Sequence, residues 1–140
     1  MSVLDYRIVE TAEAEKLYHV ITDGLNEYSS QFGVATPEAV HLYCYQSDRL
    51  IGAIVAKIVL PCLYIKWLWV DRNYRRQSIG TNLMRQVEKM AIDKQCSRAF
   101  VDTMSYQAPS FYTGMDYHEA ARIGEFYPGQ DRVFYQKVLT

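Results

Sequence analysis

"LWVDRNYRRQSIGTNLM", residues 68–84, joins a bulky apolar run to a long amphipathic one through a segment with three arginines, a glutamine, a serine and a glycine. On its N-terminal side "LYIKWLWV" (63–70) has the aromatic and β-branched content of a strand. On its C-terminal side "IGTNLMRQVEKMAIDKQ" (79–95) repeats apolar residues at Ile79, Leu83, Val87 and Met90/Ala91, with Lys89 and Lys94 toward the end. That spacing predicts a helix with one buried stripe. "RAFVDTM" (98–104) then returns to strand. Strand, turn, helix, strand is a βαβ unit, so its two strands must be parallel.

Outward from this unit the pattern stays regular. Val40, Leu42 and Cys44 alternate with His41, Tyr43 and Tyr45, and "LIGAIVAKIVL" (50–60) follows the turn "QSDR". Pro61 separates that run from "LYIKWLWV", which predicts an antiparallel meander of three strands. Upstream, Val3 to Val9 alternates as a first strand, Thr11 reads as an N-cap, and Glu13 and Glu15 suit a first helical turn. Leu17, Val20, Ile21 and Leu25 form that helix's apolar stripe, and residues 28–37 read as loop or short irregular helix. Downstream come a short helix over 109–115 and two strands, "EAARIGEF" and "RVFYQKVL", joined by "YPGQD". The order β-α-βββ-α-β-α-ββ predicts one α/β (α+β) domain over residues 1–140, with a mixed, mostly antiparallel sheet around a central parallel βαβ unit.

Bulk properties narrow the function classes. A chain of 140 residues can bury one core, and a net charge of -1 provides no general attraction to nucleic acid or anionic membrane. No apolar run approaches the roughly 18 residues that span a bilayer, and "MSVLDYRIVE" lacks the features of a secretory signal. Cys44, Cys62 and Cys96 are odd in number and form no CxxC pair, which points to reduced thiols, a cytoplasmic location and no structural zinc. Nothing beside them lowers a thiol pKa, so no cysteine nucleophile is expected. His19, His41 and His118 lack metal-ligand spacing, so no metal is expected either.

The first amides of a helix lack intrahelical acceptors and sit in the positive end of its dipole. A helix start with a glycine for clearance and adjacent arginines can cradle a phosphate, and Gly80 with Arg75 and Arg76 meets that description. Such turns are common in isolation.

The same stretch resembles the acetyl-CoA-binding segment of the GNAT superfamily of N-acyltransferases, where Arg/Gln-x-x-Gly-x-Gly/Ala opens a helix after a strand. Arg75, Ser78 and Gly80 occupy the marked positions. "QAPSFYTGMDY" (107–117) is similar to that family's Ala-x-x-Phe-Tyr-x-x-x-Gly-Phe motif through Ala108, Phe111 and Tyr112. The resemblance implies that the amides of Gln77, Ser78, Ile79, Gly80 and Thr81 bind the pyrophosphate of coenzyme A, with Arg75 and Arg76 near its phosphates. It implies that the strand ending at Val70 pairs with the pantetheine arm, and that the Leu68 N–H polarises the thioester carbonyl. Gln107 becomes a side-chain contact to the cofactor, and Tyr112 the acid that protonates the leaving thiolate. A phenol suits that task because it holds its proton at neutral pH.

The chain departs from the family pattern in three ways. Ser78 and Asp116 replace glycines, and Lys66 and Trp67 stand where many relatives carry an acidic residue that serves as base or holds a water. Asp102, Glu27 and His118 remain as candidate bases, with a paired strand-end carboxylate the plainer role for Asp102. Trp67 and Trp69 should share one face of their strand, with Tyr64 opposite and Tyr106 on a neighbouring element. Core packing is the ordinary role for such residues; where they open onto the acceptor they can hold an apolar or cationic amine.

The expected activity is transfer of acetyl from acetyl-CoA to a primary amine, of a small molecule first, by direct attack in a ternary complex. The competing expectations are a non-catalytic acyl-CoA-binding regulatory domain, or an acetyltransferase acting on a protein or tRNA. Relatives in the family are often dimers, so the resemblance allows a homodimer.

Overall fold

Six strands make one sheet in the computed structural model, which describes residues 3–140. They are β1 (Glu38–Gln46), β2 (Arg49–Val59), β3 (Cys62–Val70), β4 (Arg98–Met104), β5 (His118–Tyr127) and β6 (Gln130–Val138), in the spatial order β1-β2-β3-β4-β6-β5. β3 and β4 run parallel and every other neighbouring pair is antiparallel. The meander and the βαβ unit are therefore as expected.

The helix between the parallel strands, α2 (Ile79–Asp93), buries Leu83, Met84, Val87 and Ala91. These side chains join Ile54, Ala56, Ile58, Leu63 and Ile65 in the core, one alternate set of each strand, as a half-covered sheet requires. Two glycine and turn positions set the details. A Cβ on Gly52 would lie 2.9 Å from Ile79 Cγ2, so β2 passes directly under the start of α2. Asp116, in the place of the family glycine, has φ 68°. Aspartate tolerates that left-handed backbone better than most residues, and the turn into β5 is kept.

Residues up to Thr36 form a unit of their own, separate from Pro37–Thr140. Within it α1 spans Thr11–Ser30, so the helix runs further into the 28–37 segment than its polar composition suggested. Thr11 is the first helical residue instead of the N-cap, a position held by Glu10. The expected strand over Val3 to Val9 is absent: these residues have no regular secondary structure. Alternation shows only that a segment could pair; a strand exists when a neighbour accepts its backbone hydrogen bonds. α3 (Pro109–Thr113) completes the helices and opens with proline at N1, where its missing N–H costs nothing.

Candidate active site

β3 and β4 part company partway along. Their pairing runs from Cys62↔Arg98 to Ile65↔Val101 and then stops, although β3 stays paired to β2 as far as Val70. The register between β2 and β3 shifts at the same place, with Val55 opposite Trp67 but Ala56 opposite Ile65, which makes Lys66 the extra residue of a bulge. Bulges re-aim side chains, and this one does. Tyr64, opposite Lys57, and Trp67, opposite Val55, fall on the same sheet face because Lys57 and Val55 do. The expectation that Tyr64 lies opposite the tryptophans is corrected by this one residue.

Two cavities meet at the opening. One of about 790 Å³ is lined by Leu68, Val70, Arg75, Arg76, Ser78, Ile79, Gly80, Thr81, Gln107 and Tyr112, with Trp69, Tyr74, Thr103, Tyr106, Ala108 and Phe111. Every proposed coenzyme-contacting residue but Gln77 therefore lines this one cavity. The second, about 280 Å³, includes Lys66, Trp67 and Asp102, and shares Leu68, Trp69, Thr103, Gln107 and Tyr112 with the first. The acceptor cluster expected from sequence divides: Trp67 lines the smaller cavity, Trp69 both, Tyr106 the larger, and Tyr64 neither.

The turn into α2 is conformationally demanding. Arg76 and Ser78 both take left-handed backbone, φ 65° and 62°, so the serine adopts a conformation that ordinarily favours glycine. The Ser78 side chain makes no cap, and the first intrahelical bond runs from Asn82 N–H to the Ser78 carbonyl at 2.9 Å. The amides ahead of Asn82 thus have no side-chain acceptor, the arrangement an anion can use. A Cβ built on Gly80 would make ordinary van der Waals contact, 3.6 Å from Phe111 Cζ and 3.7 Å from Val70 Cγ2, so β3 and α3 both lie against the start of α2.

Around Tyr112 the packing is aromatic. Its ring lies 5.2 Å from Phe111, 6.0 Å from Tyr117 and 6.1 Å from Tyr135, and the residue is 8% exposed. Burial, and then the negative charge of Asp102, push its pKa up to about 12. Gln107 is held by its carbonyl end: Oε1 accepts from Thr103 Oγ1 at 2.9 Å and from the Met104 N–H at 2.7 Å. Its amide NH₂ is left to serve the cavities.

Asp102 is fully engaged. Oδ1 accepts from the Tyr64 hydroxyl at 3.0 Å, while Oδ2 accepts from Arg132 Nε at 2.9 Å and also from Nη2. Two arginine N–H groups on one carboxylate oxygen and a phenol on the other fit the plainer structural role, a charge fixed in place. Burial and the Asp102 bond raise the Tyr64 pKa. Arg132 and Thr103 were not legible as site residues, because their positions depend on the register of β6 and on the Gln107 side chain. Of the other candidate bases, His118 begins β5 opposite Gln136 and Glu27 lies on α1.

The sequence profile of the acetyltransferase (GNAT) family matches residues 6–117. The chain is 32% identical over 87 residues to a blasticidin-S acetyltransferase of Streptomyces morookaense, a match covering 61% of this chain and 64% of that one. It thus spans a little under two thirds of that relative. An acetyltransferase of Agrobacterium fabrum is 28% identical over 131 residues, 92% of this chain and 93% of its own. Among solved structures, an acetyltransferase from Bacillus cereus superposes with a TM-score of 0.78 at 24% identity, covering 97% of this chain and 98% of its own, and this likeness bears on the fold. The sheet that splays after Ile65, the helix that starts on a glycine-type turn and the matched residues 6–117 agree: the chain belongs to the acetyltransferase (GNAT) family of acyltransferases.

Proposed function

We propose that residues 1–140 act as one GNAT domain, an N-acetyltransferase that moves acetyl from acetyl-CoA to a primary amine of a small molecule. The observation that carries this reading is the pair of cavities meeting at Leu68, Gln107 and Tyr112, one larger and lined by arginines, the other small. The larger wall suits coenzyme A chemically: arginines, hydroxyls and uncapped amides at one end, Leu68, Val70 and Phe111 along the rest. When bound there, acetyl-CoA supplies an activated acyl group as its thioester.

The protein's own contributions follow from position. Arg75, Arg76 and the amides of Gln77 to Thr81 hold the phosphates, and Val70 offers backbone to the arm. Leu68 N–H donates toward the oxygen on which negative charge grows, a contribution of about 10²–10³ in rate where such donors have been removed. The amine enters from the smaller cavity, forms the new C–N bond as the C–S bond breaks, and sheds one proton to solvent. Tyr112 gives its phenolic proton to the departing sulfur and is reprotonated from solvent. Holding both partners at one opening makes the attack effectively intramolecular, and no cysteine is required. The name of the blasticidin-S relative supports a small-molecule acceptor. Free thiols at Cys44, Cys62 and Cys96 support a cytoplasmic setting.

Release of free coenzyme A thiol from acetyl-CoA, followed across a panel of primary amines, tests the reading. Amine-dependent release with a matching N-acetyl product is expected. Coenzyme A binding without release for any amine would leave a binding domain in place of an enzyme.

A further inference from the structure

The smaller cavity carries an unexpected charge pattern. Its lining has one carboxylate, Asp102, and one ammonium, Lys66. The carboxylate is already neutralised by the Arg132 guanidinium and bonded by the Tyr64 hydroxyl. The ammonium is not: the seven ion pairs among the described residues leave Lys66 without an acidic partner. Lys66 also differs from an ordinary surface lysine. It is the bulged residue of β3, without a counterpart on β2 and past the last pair with β4, so it stands at the mouth of the opening.

Trp67 adds to this. Lys66 Nζ sits 4.4 Å from the centre of the Trp67 ring, so the face that could have held a cationic acceptor is occupied by the protein's own cation. A second positive charge at that ring would meet repulsion in place of cation–π attraction. The cavity therefore offers its incoming ligand an uncompensated positive charge, an indole, and no free carboxylate.

Resting on the reading of this cavity as the acceptor side of an acetyltransferase, we infer that the acceptor amine carries an anionic group, a carboxylate in the simplest case, which Lys66 reads. The volume of about 280 Å³ suits a molecule of amino-acid size. Lys66 fixes the anionic end and Trp67 packs beside it, leaving the amine to face the opening shared with the larger cavity.

The test uses the full chain with acetyl-CoA and three matched pairs: leucine with 3-methylbutylamine, phenylalanine with 2-phenylethylamine, and β-alanine with ethylamine. kcat/KM is read from thiol release. In parallel, the melting temperature of the coenzyme A-loaded protein is read with the N-acetyl form of each compound. The carboxylate members should be preferred about 10- to 100-fold, the range for a charge-assisted contact. Lys66→Arg should keep that ratio and Lys66→Glu should abolish or reverse it. Preference for the carboxylate-free amines, or an unaltered ratio in Lys66→Glu, would overturn the inference. So would a protein that binds coenzyme A yet neither acetylates nor binds the N-acetyl form of any compound. Failure to bind coenzyme A at all would instead remove the acetyltransferase reading beneath it.

Discussion

The Tyr117 hydroxyl donates to Glu88 Oε2 over 2.7 Å, tying the start of β5 to the middle of α2 inside the core. Glu88 Oε1 takes a second bond from Lys137 Nζ at 2.9 Å, so the buried carboxylate is satisfied from β6 and from the residue that precedes β5. Burial and the Glu88 bond raise the Tyr117 pKa, which keeps the donor protonated. Because the Tyr117 ring also lies 6.0 Å from Tyr112, this network fixes the position of the proposed acid. Tyr117→Phe should lower stability by about 1.5–3 kcal/mol, the range for a hydrogen bond to a charged group, measured by urea denaturation.

Tyr112→Phe should lower kcat by about 10²–10⁴, the usual share of a general acid, with little change in coenzyme A affinity. Isothermal titration beside the thiol-release assay separates the two effects. An equal loss in affinity would make Tyr112 a packing residue.

The pH behaviour follows from the same phenol. Since Tyr112 keeps its proton up to about 12, its ionisation should not limit activity at moderately alkaline pH. Asp102→Asn removes the lesser of the two causes, so the alkaline limb of kcat should move to lower pH. For stability, a phenol whose folded pKa is raised holds more protons folded than unfolded, so stability falls as pH rises from the ordinary tyrosine value toward about 12. Thermal melts across that range check the sign.

Ser78→Gly should stabilise the protein. Serine at φ 62° carries a steric cost of about 1–2 kcal/mol that glycine avoids, offset in part by glycine's greater unfolded entropy. A gain of about 0.5–1 kcal/mol is expected, with coenzyme A affinity retained. A lower melting temperature would mean that the serine hydroxyl contributes something glycine cannot.

Gly52→Ala probes the opposite case. The added Cβ would meet Ile79 at 2.9 Å and the Trp69 carbonyl at 3.3 Å, so α2 must shift at its first turn. A loss of about 1–3 kcal/mol is expected from such overpacking, accompanied by weaker coenzyme A binding in calorimetry.

Much of this arrangement was legible because its signals are local. The period of the α2 stripe, the breaks at Pro61 and Gly129, and the residues Arg75, Ser78, Phe111 and Tyr112 each report on a few neighbouring positions. What escaped depends on pairing across the sheet. A bulge at Lys66 leaves no mark in a period-two pattern, yet it turned Tyr64 onto the face of Trp67 and freed Lys66 at the opening. The Asp102–Arg132 pair joins positions far apart in the chain, fixed only once β4 and β6 are in register.

The central claim is that the turn from Arg75 to Thr81 holds acetyl-CoA, and thermal unfolding with and without acetyl-CoA tests it most directly. The wild-type protein is compared with an Arg75→Ala, Arg76→Ala variant of matched baseline stability. At 100 times its Kd a ligand adds about 2.7 kcal/mol, a rise of several degrees for a chain of this size. The expected result is such a rise in the wild type and a much smaller one in the variant at the same concentration. Equal shifts in both would move the binding site away from this turn, and no shift in either at saturating acetyl-CoA would contradict the claim outright.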